Sequence, residues 1–412
     1  MRYAAVVAGG GPAGAAAALA LARAGRAVLL VDAVRPAAAI GEALPPVGRA
    51  LLDELGLLEG FLRQEHAPSP GNSSAWGSGE VATHDFLFGL HGHGWHLDRA
   101  RFDAGLRAAA EGAGVELHTP ARVTGAERTA DGWRVRVATG DGERDVACAW
   151  LVDATGRSAA LARRHGGARV RHDRLVAVHA RFRPLGDGER DGRTLVEAVP
   201  DGWWYTARLP TGERVAAFLA DAVAIHRHGL LAPAAFAGAL SRTTHLRAVL
   251  AEYAPACAPR GADAGSARLA PPAGDGWIAA GDAALSFDPL SSHGILNALH
   301  TGTLAGSAVH AHLSGDPTVV PAYVRHVDAL YAAYLQHLRA YYAMETRWPE
   351  RPFWSRRHAN DHPVSADADP FGTAPHPVWA DAVAAGCHAV ERADGRKRET
   401  RNDNGRNGTT TV

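Results

Sequence analysis

Apolar runs and the residues that interrupt them divide the chain into a series of elements. Residues 3–8 form a short unbroken apolar run, the pattern of a strand buried on both faces. A glycine-rich stretch follows over 9–14. An alanine- and leucine-rich segment, 13–24, favours helix and meets its stop at Gly25. Residues 27–31 predict a second buried strand, ended by Asp32. These pieces make one complete β-α-β unit. Farther along, Leu51, Leu52, Leu55, Leu57, Leu58 and Leu62 predict a single amphipathic helix over 44–64. The Gly-, Ser- and Pro-rich residues 69–79 predict a loop or a crossing between domains. A helix over 99–112 and short strands at 115–117, 133–138 and 150–152 come next.

Residues 174–220 alternate and carry β-branched and aromatic side chains, so an antiparallel sheet is expected, with turns at 186–188 and 210–212. Residues 277–280 predict another buried strand, and 293–312 and 321–342 predict long helices. The stretch 345–380 is rich in Trp, Pro and Phe and predicts an irregular wrap or lid. From about 391 the chain is charged and poor in apolar residues, the composition of a disordered tail. There is no internal repeat.

The glycine-rich stretch reads Gly9-x-Gly11-x-x-Gly14. In a strand-to-helix turn, Gly9 permits the tight bend, Gly11 lets the backbone approach a pyrophosphate, and Gly14 lets helix pack on strand. The helix N-terminus offers N–H groups and a partial positive charge to phosphates. Asp32, at the end of the next strand, stands where an acid hydrogen-bonds a ribose hydroxyl. With strand, helix, second strand and acid all present, the pattern predicts dinucleotide binding.

Composition narrows the class. The 412 residues carry 43 basic and 43 acidic side chains, and this balance argues against a nucleic-acid binder. Lys397 is the only lysine, so lysine chemistry is almost closed to this protein. Cys148, Cys257 and Cys387 are widely spaced and odd in number, which fits neither a disulfide framework nor a CxxC metal site, and suits a reducing cytoplasm. Glycines interrupt the apolar N-terminus, so no signal peptide is expected, and no run reaches the roughly 18 apolar residues of a membrane span.

A second, distant motif is Trp277-Ile-Ala-Ala-Gly281-Asp282-Ala-Ala-Leu-Ser-Phe-Asp288-Pro289-Leu-Ser-Ser-His293-Gly294-Ile295-Leu-Asn297. Paired with the N-terminal unit, it resembles the flavin-contacting segment of glutathione-reductase-type FAD proteins. The resemblance implies that Gly281 and Asp282 meet the pyrophosphate–ribityl part and that Pro289 lies beside the isoalloxazine. The helix start at Gly294, Ile295 and Asn297 would face the pyrimidine edge, where a helix dipole stabilises the charge of reduced flavin. Leu97-Asp98-Arg99-Ala-Arg101-Phe102-Asp103 resembles the family's arginine-bearing helix start, with Arg99 near the phosphates. A surface pairing of Arg99 with Asp103 is the alternative. Val152-Asp153-Ala154-Thr155-Gly156-Arg157-Ser158 resembles the turn that closes the FAD domain, adding Gly156. Pro12, Ala13, Glu42 and Val123 complete the implied cofactor contacts.

Gly41-Glu42-Ala-Leu-Pro, Phe287-Asp-Pro-Leu-Ser-Ser-x-Gly-Ile and Arg347-Trp-Pro-x-Arg-Pro-Phe-Trp resemble the flavin halogenase and monooxygenase branch. Within it, the chain looks most like flavoproteins that hydroxylate tryptophan during quinone-cofactor maturation. The implied fold is α/β: a Rossmann-like FAD domain, an antiparallel-sheet substrate domain and a C-terminal helical or irregular wrap. The expected FAD domain is discontinuous (1–75, 96–172, 266–320), the substrate domain takes 76–95 and 173–265, the wrap 321–388 and the disordered tail 389–412. The implied activity is hydroxylation of an electron-rich aromatic of indole or tryptophan type through a flavin C4a-hydroperoxide, with O2 as co-substrate. NAD(P)H or reduced flavin from a partner reductase would supply electrons. The substrate would be a small aromatic, or one tethered to a carrier or within a peptide.

Departures from the family weigh against the alternatives. Flavin halogenases use a lysine after the Gly-Glu segment, and none stands there. Their Trp-x-Trp-x-Ile-Pro pattern is replaced by Gly202-Trp203-Trp204-Tyr205-Thr-Ala-Arg-Leu-Pro. A reductase of the geranylgeranyl-reductase type shares the N-terminal motif and stays open. Thr155-Gly156 replaces the Asp-Gly of hydroxylases that take hydride directly, and no second GxGxxG unit is visible.

Trp203 and Tyr205 share one strand face and Trp204 takes the other, so one face is expected to wall an aromatic cavity, with ordinary core packing as the alternative. His293 would titrate near neutrality beside the flavin, as a catalytic group or a residue that only shapes the loop. Pro289, His293, Trp203 and Tyr205 are the catalytic candidates. His91, His93 and His96 show no defined zinc-ligand spacing, so a cavity-lining loop with one histidine as acid or base, or solvated or core-satisfied histidines, are expected rather than a metal site. Arg356 and Arg357 are expected to be a solvated pair.

Overall fold

The computed structural model describes residues 2–34, 42–86, 89–186 and 190–359. The disordered-tail expectation, the wrap beyond 359, Gly41, Cys387 and Lys397 lie outside the described residues.

Two eight-stranded sheets organise these residues. In the first, Arg2–Ala8 is central, parallel to Gly142–Asp153 on one side and Val28–Val31 on the other, with Glu116–His118 and Trp277–Ala279 continuing outward in parallel. Such strands are buried on both faces, which explains their unbroken apolar runs. Ala5, Val6, Val7, Leu29 and Leu30 are all inaccessible to solvent.

Helix Pro12–Arg23 covers this sheet and packs against Gly294–Leu313. Their approach depends on glycine: a Cβ at Gly302 would lie 2.2 Å from the Ala13 carbonyl oxygen, and one at Gly306 2.5 Å from that of Ala17.

The second sheet runs Tyr253–Pro255, Leu175–Pro184, Arg214–Asp221, Gly202–Arg208, Thr194–Val199, Gly71–Ala75 and Ala82–Asp85, with Arg260–Asp263 also pairing with Leu175–Pro184. Its pairings are antiparallel, as expected over 174–220, except that Thr194–Val199 runs parallel to Gly71–Ala75. Trp204, Val178, Phe182 and Phe218 point to a core closed by short helices that supply Phe236 and Leu246. The opposite face carries Trp203 and Tyr205.

Several expectations need correction. The helix expected over 44–64 is a strand, Ala43–Leu44, and two short helices, Gly48–Glu54 and Leu58–Leu62. Pro45-Pro46 delays the first helix, and Gly56, at φ +60°, separates the two. The stretch 69–79, expected as a loop or a crossing between domains, contributes the strand Gly71–Ala75, because pairing on both sides overrides weak β-propensity. It sits in the second sheet, although its residues fall within the span expected for the FAD domain. Of the expected solvated pair only Arg356 is exposed, its side chain at 59% against 12% for Arg357. Both bind Asp221, and the Arg357 guanidinium lies 3.6 Å from the centre of the Phe353 ring. Phe353 and Trp354 are buried, and the Trp354 indole N–H donates to the Val199 carbonyl at 3.0 Å, so this segment packs on the second sheet. Among the described residues no helix is long and apolar enough to cross a membrane.

Gly302→Ala places a methyl against a carbonyl that helix packing holds fixed. The expected cost is about 1–3 kcal/mol, read as a lower melting temperature. An unchanged melting temperature would contradict this packing.

Candidate functional site

A long cleft runs from the first sheet to the second. Its first part, about 1030 Å³, is lined by Gly9, Gly11, Asp32, Arg99, Arg107 and Val123 among others. Its second part, about 620 Å³, lies between the 287–298 segment and the second sheet. Gly11, Glu42, Arg99, Ala154, Thr155 and Gly156 line both parts, so the two are continuous.

The glycine turn is built as the sequence implies. Gly9 has φ +105°, and a Cβ there would lie 2.2 Å from the Ala154 carbonyl oxygen. A Cβ at Gly14 would lie 1.8 Å from that of Gly9. A Cβ at Gly11 would meet nothing within 4 Å, because it would point into the cleft. No side chain caps helix Pro12–Arg23 and no acid stands in its first turn, so its N-terminal N–H groups remain suited to an anion. The same holds for helix Gly294–Leu313, whose first residues, Gly294 and Ile295, line the second part. Two helix N-termini therefore face one cleft. Opposite them, Asp153 fixes the wall: its carboxylate accepts from the Thr155 N–H and hydroxyl and from the N–H groups of Leu161 and Ala162.

The cleft gathers most of the expected residues. Gly9, Gly11, Asp32, Glu42, Arg99, Val123 and Gly156 line the first part, and Pro12, Ala13, Asp282, Pro289, Gly294 and Ile295 the second. Asp32 pairs with Arg107 at 3.2 Å, and Arg99 with Asp103 at 3.1 Å, so the surface pairing proposed for Arg99 is present at the cleft itself. Gly14 and Gly281 act one layer behind. Gly281 has φ +59°, and a Cβ there would crowd Ala13 at 2.6 Å. Asn297 is buried, its amide donates to the Leu285 carbonyl at 3.4 Å, and it is not among the lining residues. His293 occupies the N-cap position of its helix without a side-chain cap bond and is likewise absent from the lining.

The histidine cluster divides. His96 is wholly buried, with one ring nitrogen 3.0 Å from the Arg208 carbonyl oxygen and the other 2.9 Å from the Thr194 hydroxyl. Burial pushes its pKa down to about 4. It is a satisfied core histidine, and no group of three or more metal-binding side chains exists among the described residues.

Trp203 and Tyr205 wall the second part with Val196, Leu219 and Phe287. The Tyr205 hydroxyl donates to the Glu42 carboxylate at 2.8 Å. Burial, then the charge of Glu42, raises the Tyr205 pKa well above its ordinary value, so the hydroxyl keeps its proton.

A connection that sequence reasoning missed ties the two sides together. The Trp203 indole N–H donates to the Tyr342 hydroxyl at 3.1 Å, and that hydroxyl donates to Asp288 at 2.7 Å. The other Asp288 oxygen accepts from the Leu290 N–H, and the Asp288 N–H donates to the Tyr334 hydroxyl. No local pattern announces Tyr342, which sits at the end of a long helix.

Burial, reinforced by the Asp173 carboxylate, raises Asp288 from 3.8 to about 6. An acid whose folded pKa is raised favours the folded state while protonated. Its contribution is full below the unfolded value and is lost as pH climbs through the folded one. Asp288→Asn cannot ionise, so wild-type stability relative to this variant is expected to fall from about pH 4 to about pH 6 and then level off, by urea unfolding. A pH-independent difference would contradict the shift. Tyr342→Phe leaves the Trp203 N–H buried without its acceptor, at an expected cost of about 1–3 kcal/mol. Unaltered stability would contradict the bridge.

Comparison with known proteins agrees with this geometry. Residues 2–191 match the model of an FAD-binding domain family. The chain is 33% identical to LodB of Marinomonas mediterranea, named as an FAD-dependent oxidoreductase, over 87% of this chain and 97% of that protein. Among solved structures it is similar to the myxobacterial chondrochloren halogenase CndH, with TM-score 0.80, 25% identity and 86% of each chain covered. It is also similar to the peptidyl tryptophan dihydroxylase QhpG, with TM-score 0.73, 28% identity, and 87% of this chain and 79% of that one covered. The cradle fits the cofactor of these proteins: close-packed glycines, an open Gly11, two uncapped helix N-termini and an acid at the end of the second strand. This chain belongs to the FAD-dependent oxidoreductases, in the family that includes flavin monooxygenases and halogenases.

Proposed function

We propose that the protein is an FAD-dependent monooxygenase that hydroxylates an electron-rich aromatic ring, of indole type, carried in a peptide or as a smaller molecule. The observation that carries this reading is the continuity of the cleft. One half, floored by Gly11 and edged by Asp32, leads into an aromatic-walled half between Pro289 and the Trp203–Tyr205 face.

Gly11, Asp32, Arg99 and Val123, which line the first part, would hold the adenosine and pyrophosphate half of FAD. Gly156, Asp282, Pro289 and Gly294 flank its ring-bearing half. When bound and reduced, FAD would supply the two electrons by which O2 yields an electrophilic oxygen atom. The protein orients the substrate ring and excludes water. The buried Trp203 and Phe287 suit both tasks, because flat apolar walls bind an aromatic ring and leave little room for solvent. The helix start at Gly294 would stabilise negative charge on the reduced ring system. Electrons come from NAD(P)H, directly or through a partner flavin reductase.

The similar peptidyl tryptophan dihydroxylase supports an indole as the ring. Halogenation is the weaker reading despite the similar chondrochloren halogenase, because residues 1–396 contain no lysine.

The test is turnover of N-acetyltryptophanamide and short tryptophan peptides, with FAD, NADH and a flavin reductase, under oxygen-18 gas with bromide present. The expected product gains one labelled oxygen atom for each hydroxyl group. An unlabelled or brominated product, or turnover that survives strict anaerobiosis, would contradict the reading.

A further inference from the structure

Four carboxylates line the second part of the cleft: Glu42, Asp263, Asp282 and Asp288. All four are engaged by the protein itself. Asp263 pairs with Arg171 at 2.9 Å and accepts from the Gly265 N–H. Asp282 pairs with Arg157 at 3.4 Å. Asp288 has one oxygen on the Leu290 N–H and the other on the Tyr342 hydroxyl. Glu42 differs in kind. Its carboxylate is bonded to a side chain of the substrate wall, the Tyr205 hydroxyl, and it lies where the two halves of the cleft meet. It is 4% exposed, so a proton acceptor there is shielded from bulk water. The strand Ala43–Leu44, paired with Gly94–His96, holds the backbone beside it.

Resting on the hydroxylase reading, we propose that Glu42 is a catalytic residue: its carboxylate accepts the ring N–H of the substrate and takes that proton as oxygen is inserted, while Tyr205 holds the carboxylate in position. The ring's π electrons form the new C–O bond, and positive charge reaches the nitrogen. The nitrogen lone pair has by then formed a C=N bond; the N–H bond breaks, its electron pair stays on nitrogen as the lone pair, and the proton passes to Glu42. The carbon that received oxygen then loses its hydrogen as a proton, aromaticity returns, and the nitrogen regains a proton from Glu42. One oxygen atom of O2 stays on the ring. The other leaves as water, using the two electrons of reduced FAD and two protons. Tyr205 remains protonated throughout, which suits a donor that aims Glu42 rather than a base.

Two arms separate this role from the hydroxylase reading. The first measures binding of indole and benzofuran, which has no N–H, to the FAD-loaded protein through the flavin spectrum. Wild type is expected to bind indole about tenfold or more tighter than benzofuran, the size of a hydrogen bond to a charged group. Glu42→Ala should remove that preference, and Tyr205→Phe should reduce it. Equal binding by wild type, or a preference that survives in Glu42→Ala, would overturn the proposal whether or not turnover is found.

The second arm uses Glu42→Gln, whose amide oxygen still accepts an N–H but takes up no proton. Indole binding should stay within about threefold of wild type. Hydroxylated product should fall by about 10²–10⁴-fold, with oxygen consumption diverted to hydrogen peroxide. Added formate should restore part of the product in Glu42→Ala. Wild-type product yield in Glu42→Gln would overturn the proton-transfer role. Absence of product from wild type on every aromatic would instead count against the hydroxylase reading.

Discussion

The cleft depends on one buried connection, the hydrogen-bonded line from Trp203 through Tyr342 to Asp288. Its ends belong to different halves of the site. Trp203 stands on the second sheet, and Asp288 sits in the turn that leads to helix Gly294–Leu313. The phenol serves both ends, accepting from an indole and donating to a carboxylate. Buried polar groups are costly unless paired, so each member fixes the next. The spacing between aromatic wall and Pro289 turn is thus set by hydrogen bonds rather than by apolar packing alone.

The nucleotide half rests on a different constraint, close approach of backbone to backbone. Gly9 and Gly14 leave no room for a Cβ, while Gly11 opens onto the cleft. Gly302 and Gly306 repeat the device where helices Pro12–Arg23 and Gly294–Leu313 meet, aligning two helix N-termini on one cavity. The same packing that closes the core therefore creates paired positive ends, one suited to phosphate and one to a reduced ring. Fold and cofactor preference share a cause here.

Legibility in the sequence followed distance along the chain. The first β-α-β unit spans about thirty residues, and its glycines, helix and terminal Asp32 could be read directly. Alternation around Trp203, Trp204 and Tyr205 assigned their faces correctly, because a strand's period is strict. Residues joined across long separations left no local trace: Tyr342 meets Trp203 from 139 positions away, and Tyr205 meets Glu42 from 163. The leucine stripe of 51–62 suggested one helix because periodicity does not register a single left-handed glycine such as Gly56. Arg357 looked like a surface cation because sequence does not reveal the ring and carboxylate that receive it. His293 drew attention through its chemistry and its motif, yet its position is that of a helix cap beside the cavity.

The central claim is that this cleft holds a flavin which, once reduced, hands oxygen to a bound ring. The most direct measurement is anaerobic reduction of the FAD-loaded protein with an indole ligand bound, followed by rapid mixing with oxygenated buffer and recording of absorbance. The account expects a transient spectrum distinct from both reduced and oxidised flavin, decaying as hydroxylated product forms. Direct return to oxidised flavin without product, with ligand demonstrably bound, would contradict it.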